Sequence, residues 1–211
     1  YHSAFPYQGV TVRSLLNHRS GLPNYVHFME QNGWDQKKTV TNQDVLQFMI
    51  DKKGKLDVGR PNRGFNYSNT NYALLALIVE KVSGKQFGQY LQETFFTPLK
   101  MEHTFLFSID KKDDVMPSYN WKNQQEAFTY LDVVVGDKNV YSTPRDLLKW
   151  DLALTYGKLF KQSTLDSAYI GYSNEKPGIK NYGLGWRMYD YPNGKQIIYH
   201  NGWWHGNNTV Y

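Results

Sequence analysis

Apolar residues recur at helical spacing through the first three quarters of the chain, and aromatic and β-branched residues take over near its end. The clearest amphipathic stretch is 71–83, where Leu74, Leu77, Ile78 and Val82 fall on one face and Gly84 follows as a stop. Upstream, Thr11 caps a short helix over 11–16, and Gly21 and Pro23 force a turn soon after it. Thr41 and Asp44 have capping-box spacing, with Asp where Glu or Gln is usual, ahead of a face made by Val45, Leu46 and Met49. A further helix is predicted over 86–95, ending before Thr97-Pro98. Another opens at Ser142-Thr143-Pro144, with proline in the first helical position, and closes at Gly157. In the tail, 184–191 and 195–199 read as strands joined by the turn Pro192-Asn193-Gly194. The pattern predicts an α+β chain, mainly helical over 1–180 and antiparallel strands over 181–211, with no repeat or linker between.

Composition narrows the function classes. With 40% hydrophobic and 20% charged residues in 211, the chain can bury a substantial core, and disorder is excluded. The 24 Lys and Arg against 19 Asp and Glu are spread without a dense basic block, which reads as a solvated surface and implies no nucleic-acid partner. The absence of cysteine excludes a disulfide scaffold, a thiol nucleophile and a zinc–thiolate site, and leaves the compartment open. The longest apolar run, Tyr72 to Val79, is far shorter than the roughly 20 residues that span a bilayer, so no membrane segment is expected. His2, His27, His103 and His205 lack metal-ligand spacing, and no metal or other cofactor is expected. A start at Tyr1-His2-Ser3 and an end at Val210-Tyr211, apparently mid-strand, lead to the expectation that this is a fragment.

Two literal Ser-x-x-Lys matches occur, Ser108 to Lys111 and Ser173 to Lys176. Both lie in polar loop contexts rather than at a buried helix start, and both read as chance. His18 and Ser20 read as parts of a turn between Leu16 and Pro23. The 17 Tyr and 6 Trp are expected mainly in the core and rim, although they also suit a binding module.

Several blocks in order carry a resemblance. Leu15-Leu16-Asn17-His18-Arg19-Ser20-Gly21-Leu22-Pro23 resembles the Leu-Leu-x-His-x-Ser-Gly-Leu-Pro segment of the serine β-lactamase-related family, which holds class C β-lactamases, D-alanyl-D-alanine carboxypeptidases and esterases. Phe65-Asn66-Tyr67-Ser68-Asn69 resembles its Tyr-x-Asn motif. Thr97-Pro98-Leu99-Lys100-Met101, Tyr141-Ser142-Thr143-Pro144-Arg145-Asp146-Leu147 and Tyr182-Gly183-Leu184-Gly185-Trp186 resemble three later blocks. His200-Asn201-Gly202 stands where the family has Lys-Thr-Gly.

The resemblance implies a β-lactamase/transpeptidase-like fold, here most of the helical lobe plus the late hairpin of an incomplete sheet. It implies a metal-free serine hydrolase, bacterial and extracytoplasmic, acting on a small-molecule or peptide acyl donor. Tyr67 would be the general base or proton shuttle. Holding a phenol ionised at neutral pH takes about three units, roughly 4 kcal/mol, of help from nearby cations. The family's Ser-x-x-Lys segment comes before the first block quoted, and the chain is expected to be inactive without it. With His200 mostly neutral as well, Tyr67 is expected to be an ordinary protonated phenol. Asn69 would hold the side-chain amide of the acyl substrate, with a helix-capping role as its alternative; Ser68 would face elsewhere. His200, Asn201 and Gly202 would line the substrate strand, with the Trp203 amide as an oxyanion donor. Asn201 and Trp203 depart from the pattern and argue against β-lactam turnover, while Gly206 fits the family's glycine and His205 acquires no role. The alternative is a non-catalytic protein that binds cell-wall peptide or glycan in the same pocket. Open strand edges in the tail predict self-association.

Overall fold

The computed structural model describes residues 5–211. Helix α1, Val12–Leu16, is opened by a capping box in which Thr11 and Ser14 exchange side-chain and backbone hydrogen bonds. Helix α2, Tyr25–Gln31, follows an Asn24 cap, and α3, Asn42–Asp51, starts at the Thr41/Asp44 box with the predicted face buried. Helix α4, Asn69–Ser83, ends at Gly84, whose φ of 72° supplies the left-handed stop. Helix α5, Phe87–Leu91, runs into a π-helical turn over Gln92–Phe96. The short strands β1, Phe105–Leu106, and β2, Val140–Tyr141, pair antiparallel. Helix α6, Pro144–Thr155, starts with proline behind a Thr143 cap, and α7, Gln162–Ala168, follows.

Helix α4 forms the centre of the helical part and packs against α1, α2, α3 and α5. Its Ala73, Leu74 and Leu77 join Leu22, Tyr25, Met29, Val45 and Met49 in one buried cluster. The helix begins two residues before the predicted start, because Ser68 is extended and stands as the N-cap while Asn69 is already helical. Val82, placed on the apolar face by spacing, is 80% exposed, so the buried stripe stops one turn early. The helix predicted over 86–95 is divided, its second half widening into the π turn. Neither α2 nor α7 stood out by periodicity. Helix α2 is seven residues long and owes its stability to the burial of Tyr25, Phe28 and Met29.

In the tail, β3, Lys180–Tyr182, β4, Arg187–Asp190, and β5, Gln196–Tyr199, form an antiparallel sheet in the order β3-β4-β5. The predicted turn joins β4 to β5: Tyr191 donates to the Lys195 carbonyl, Gly194 donates to the Tyr191 carbonyl, and Gly194 has a φ of 80°. The chain then breaks direction. Strands β6, Asn201–Trp204, and β7, Asn207–Val210, make a separate hairpin, and His200 lies at the joint between the two sheets. No helix among the described residues is long and apolar enough to cross a membrane.

Candidate active site

The Tyr67-Ser68-Asn69 segment is held from below by His18. The His18 ring is 1% exposed, and its Nδ1 accepts from the Ser68 amide at 3.2 Å and from the Asn71 side-chain amide at 3.0 Å. Asn71 in turn accepts from the Ser20 hydroxyl at 2.6 Å. Two donors converging on Nδ1 place the ring proton on Nε2 and exclude a charged imidazole. Burial, with His200 and Arg187 nearby, lowers the His18 pKa from about 6.5 to about 3. The reading of His18 and Ser20 as a simple turn was therefore too narrow. Their side chains tie that turn to the start of α4.

Ser68 is fully buried and donates its hydroxyl to the Pro23 carbonyl at 3.0 Å, facing away from the site as expected. Tyr67 is left on the open side. Its ring lies over His18, with centroids 4.1 Å apart, and the guanidinium carbon of Arg187 sits 5.2 Å from its centroid. The phenol oxygen makes no hydrogen bond among the described residues. Burial pushes the Tyr67 pKa up and Arg187 opposes this, so the phenol is protonated at neutral pH. Asn69 occupies the first position of α4, and its side chain likewise has no hydrogen-bond partner among the described residues. The capping alternative fails for Asn69, because the cap position belongs to Ser68.

His200 faces the same space. Its ring centroid is 6.3 Å from that of Tyr67. Nδ1 lies 2.8 Å from the Asn201 carbonyl, which can only accept, so the ring proton sits on Nδ1. Nε2 then accepts from the Tyr182 hydroxyl at 3.0 Å. Burial lowers the His200 pKa; the Asn201 carbonyl opposes the shift and Arg187 reinforces it, which leaves a neutral imidazole at pH 7. Tyr182 is 2% exposed and also packs against His18 and Phe65. Tyr182 stands in one of the family blocks but has no role there by motif alone, and no motif marks Arg187.

The β6–β7 register determines which amides are available. His200 and Tyr211 exchange both backbone hydrogen bonds, so the hydrogen-bonded pairs continue at Gly202 with Thr209 and at Trp204 with Asn207. By the same alternation, the amides of Asn201 and Trp203 point away from β7. The Trp203 amide is thus an unused strand-edge donor, while its side chain is 79% exposed with the indole donating to the His205 carbonyl. His205 has a clear structural role. Its Nε2 meets both carboxyl oxygens of Asp132, at 2.9 and 3.1 Å, and the Trp204 indole bonds the same carboxyl group. Lys138, packed on the Trp204 ring and paired with Asp137 and Tyr25, completes this buried anchor. Burial raises the Asp137 pKa and lowers that of Lys138.

Neither Ser-x-x-Lys match stands at the start of an α-helix, and among the described residues neither hydrogen-bonds or stacks with Tyr67, Asn69 or His200. Ser108 precedes a three-residue 3-10 turn, Ile109–Lys111, and Lys111 lies over Phe105. Ser173 lies in an irregular segment, its hydroxyl buried without a partner. No group of three His, Asp or Glu side chains suited to a metal occurs among the described residues.

A protonated phenol and a neutral imidazole thus face each other, with Tyr182 and Arg187 packed against them. The pattern of the beta-lactamase family matches residues 3–211. The chain belongs to the beta-lactamase family. Penicillin-binding protein 4* of Bacillus subtilis (strain 168) is 33% identical over 222 residues, 98% of this chain and 49% of that protein. Teichoic acid D-alanine hydrolase of Staphylococcus aureus (strain NCTC 8325 / PS 47) is 26% identical over 180 residues, 83% of this chain and 43% of that protein. The D-amino acid amidase of Ochrobactrum anthropi SV3, solved with L-phenylalanine, superimposes with a TM-score of 0.72 at 28% identity, covering 94% of this chain and 58% of that one. The octameric penicillin-binding protein homologue of Pyrococcus abyssi gives 0.73 at 25% identity, covering 94% and 48%. The β-lactamase/transpeptidase-like fold is therefore that of this chain, which spans about half the length of the first of these curated relatives.

Proposed function

We propose that these residues form the proton-transfer and strand side of a serine acyl-transfer site, in a hydrolase of amide or ester acyl donors. The observation that carries this reading is Tyr67, half-buried and without a hydrogen bond at its oxygen among the described residues, with its ring 6.3 Å from that of His200. The nucleophile in this reading is a serine outside residues 1–211, with a lysine one helical turn later. That lysine supplies the additional positive charge that Arg187 alone does not, since burial still outweighs Arg187 at Tyr67. The serine attacks the acyl carbon, and its proton passes by way of Tyr67 to the leaving group. The Trp203 amide bonds the oxyanion that develops on attack, collapse expels the protonated leaving group to leave an acyl-serine, and water cleaves that ester to release the acid and restore the serine. His200 stays neutral, and with both ring nitrogens engaged by Tyr182 and the Asn201 carbonyl it lines the site beside Tyr67 without adding charge.

D-amino acid esters and amides are the proposed substrates, in keeping with the D-alanine hydrolase and D-amino acid amidase among the relatives. Asn201 and the bulky Trp203 favour esters and peptides over cephalosporins. The same relatives support a place at the bacterial cell envelope. The test is turnover of D-alanyl esters and amides by the full-length native protein. Tyr67→Phe removes the phenol oxygen but keeps the ring stack on His18, and is expected to lower kcat by about a hundredfold or more. An unchanged rate would remove Tyr67 from the mechanism. Binding of cell-wall peptide with no turnover at all would favour a non-catalytic role.

A further inference from the structure

Beside Tyr67 and His200, the loop over 57–66 faces the segment 173–181 across an open cleft of about 960 Å³. Its inner end is formed by Tyr182 and Arg187, the residues that hold His200 and cover Tyr67. Five cationic side chains line it, Arg60, Arg63, Lys176, Lys180 and Arg187, against two carboxylates. One of those carboxylates, Glu175, is already paired with Arg19. None of the five cations has an ion-pair partner among the described residues. Two buried polar atoms in the wall, Arg187 Nε and the Ser173 hydroxyl, have no hydrogen-bond partner either.

The walls are fixed before any ligand arrives. Arg19 donates to the Tyr172 carbonyl at 2.8 Å on one side and to the Asn62 carbonyl at 3.0 Å on the other, bridging the two segments. Gly59 donates to the Gly21 carbonyl at 2.8 Å, and a Cβ on Gly21 would come within 2.3 Å of the Gly59 oxygen, so glycine there is required by the close approach. A cleft of unneutralised guanidinium and ammonium groups focuses positive potential and attracts oxyanions, which the planar guanidinium binds through two parallel hydrogen bonds.

We propose that this cleft binds the anionic portion of the acyl substrate, a ligand carrying two or more phosphate or carboxylate groups. Arg187 takes the charge nearest the acyl centre, and Arg60, Arg63, Lys176 and Lys180 take those farther out. The inference deepens the acyl-transfer reading and rests on it for the position of the acyl group, but its test is binding alone. Calorimetric titration of the full-length native protein would compare an oligo(glycerol phosphate), a tricarboxylate and a neutral glycerol oligomer at two salt concentrations. At least one anion is expected to bind about tenfold or more tightly than the neutral oligomer and to weaken with added salt; the tighter of the two identifies phosphate or carboxylate as the source. Arg60 and Arg63 are exposed, so the R60A/R63A variant is expected to fold with an unchanged thermal midpoint while losing about tenfold in anion affinity. Equal binding of anion and neutral oligomer, or unchanged affinity in the folded double variant, would overturn the proposal. If full-length protein hydrolysed neutral esters yet bound no anion, this inference would fail and the acyl-transfer reading would stand.

Discussion

Replacing His18 by asparagine gives a stability change whose pH dependence follows from the geometry. Asparagine can place a carbonyl oxygen where Nδ1 now accepts from Ser68 and Asn71, and it tolerates the left-handed backbone at this position, where φ is 54°. What the variant loses is the ring packed between Tyr67, Tyr72 and Tyr182, at a cost of about 2 kcal/mol at pH 7 for a cavity of that kind. It also loses a titrating group. In the folded chain His18 takes up a proton only near pH 3, whereas in the unfolded chain it does so near 6.5. The unfolded state therefore binds more protons between those values. Stability linked to His18 is fully present above about pH 6.5 and declines as pH falls toward 3. Between pH 7 and pH 5 that decline is about 2 kcal/mol for wild type and absent from the variant. His200 shifts in the same sense but is present in both proteins and cancels in the comparison. Urea unfolding of both chains at the two pH values is expected to show the variant's deficit shrinking from about 2 kcal/mol to near zero. A deficit that stayed constant across the two pH values would refute a neutral, buried His18.

Asp132→Ala removes an acceptor shared by the Trp204 indole, His205 and the Thr129 amide, and should cost about 3 kcal/mol or more. Hydrogen exchange at Gly202 and Thr209, a hydrogen-bonded pair of the hairpin, is expected to accelerate while α4 stays protected; unchanged exchange there would show that the hairpin is held by other contacts. Strand β7 pairs only with β6 among the described residues, and by alternation the Val210 amide points outward, so this open edge is expected to drive self-association. Light scattering should show oligomers whose proportion rises with concentration and falls in Val210→Pro, which removes an outward donor and leaves the β6 pairing intact. A monodisperse monomer would contradict the edge argument.

Much of the local structure was legible because it follows from local chemistry. The caps at Thr11, Thr41 and Thr143, the stop at Gly84 and the turn at Asn193-Gly194 each satisfy nearby backbone groups, and each stands where spacing predicted. The extent of burial was less legible. Val82 fits the apolar stripe of α4 but lies past the last packed turn, which no single-helix periodicity can reveal. The site residues Tyr67, Asn69 and His200 were readable from motif blocks, whereas Tyr182 and Arg187 acquire their roles only when β3 and β4 bring them over a loop more than a hundred residues away. Asp137 and Lys138, adjacent opposite charges that would ordinarily be solvated, are buried against Tyr25 and Trp204 by contacts that sequence spacing does not encode. For His18 the signal was present in the Leu-Leu-x-His block, but its place in a turn does not reveal that the ring holds Ser68 and Asn71.

The central claim is that these residues complete an acyl-transfer site around a serine outside residues 1–211. Mass-spectrometric mapping of fluorophosphonate and labelled-penicillin adducts tests it most directly. The full-length native protein is predicted to be acylated stoichiometrically at one serine followed three residues later by lysine, and the 211-residue chain is predicted to carry no adduct. An adduct on Ser108, Ser173 or any other serine within residues 1–211 would contradict the account.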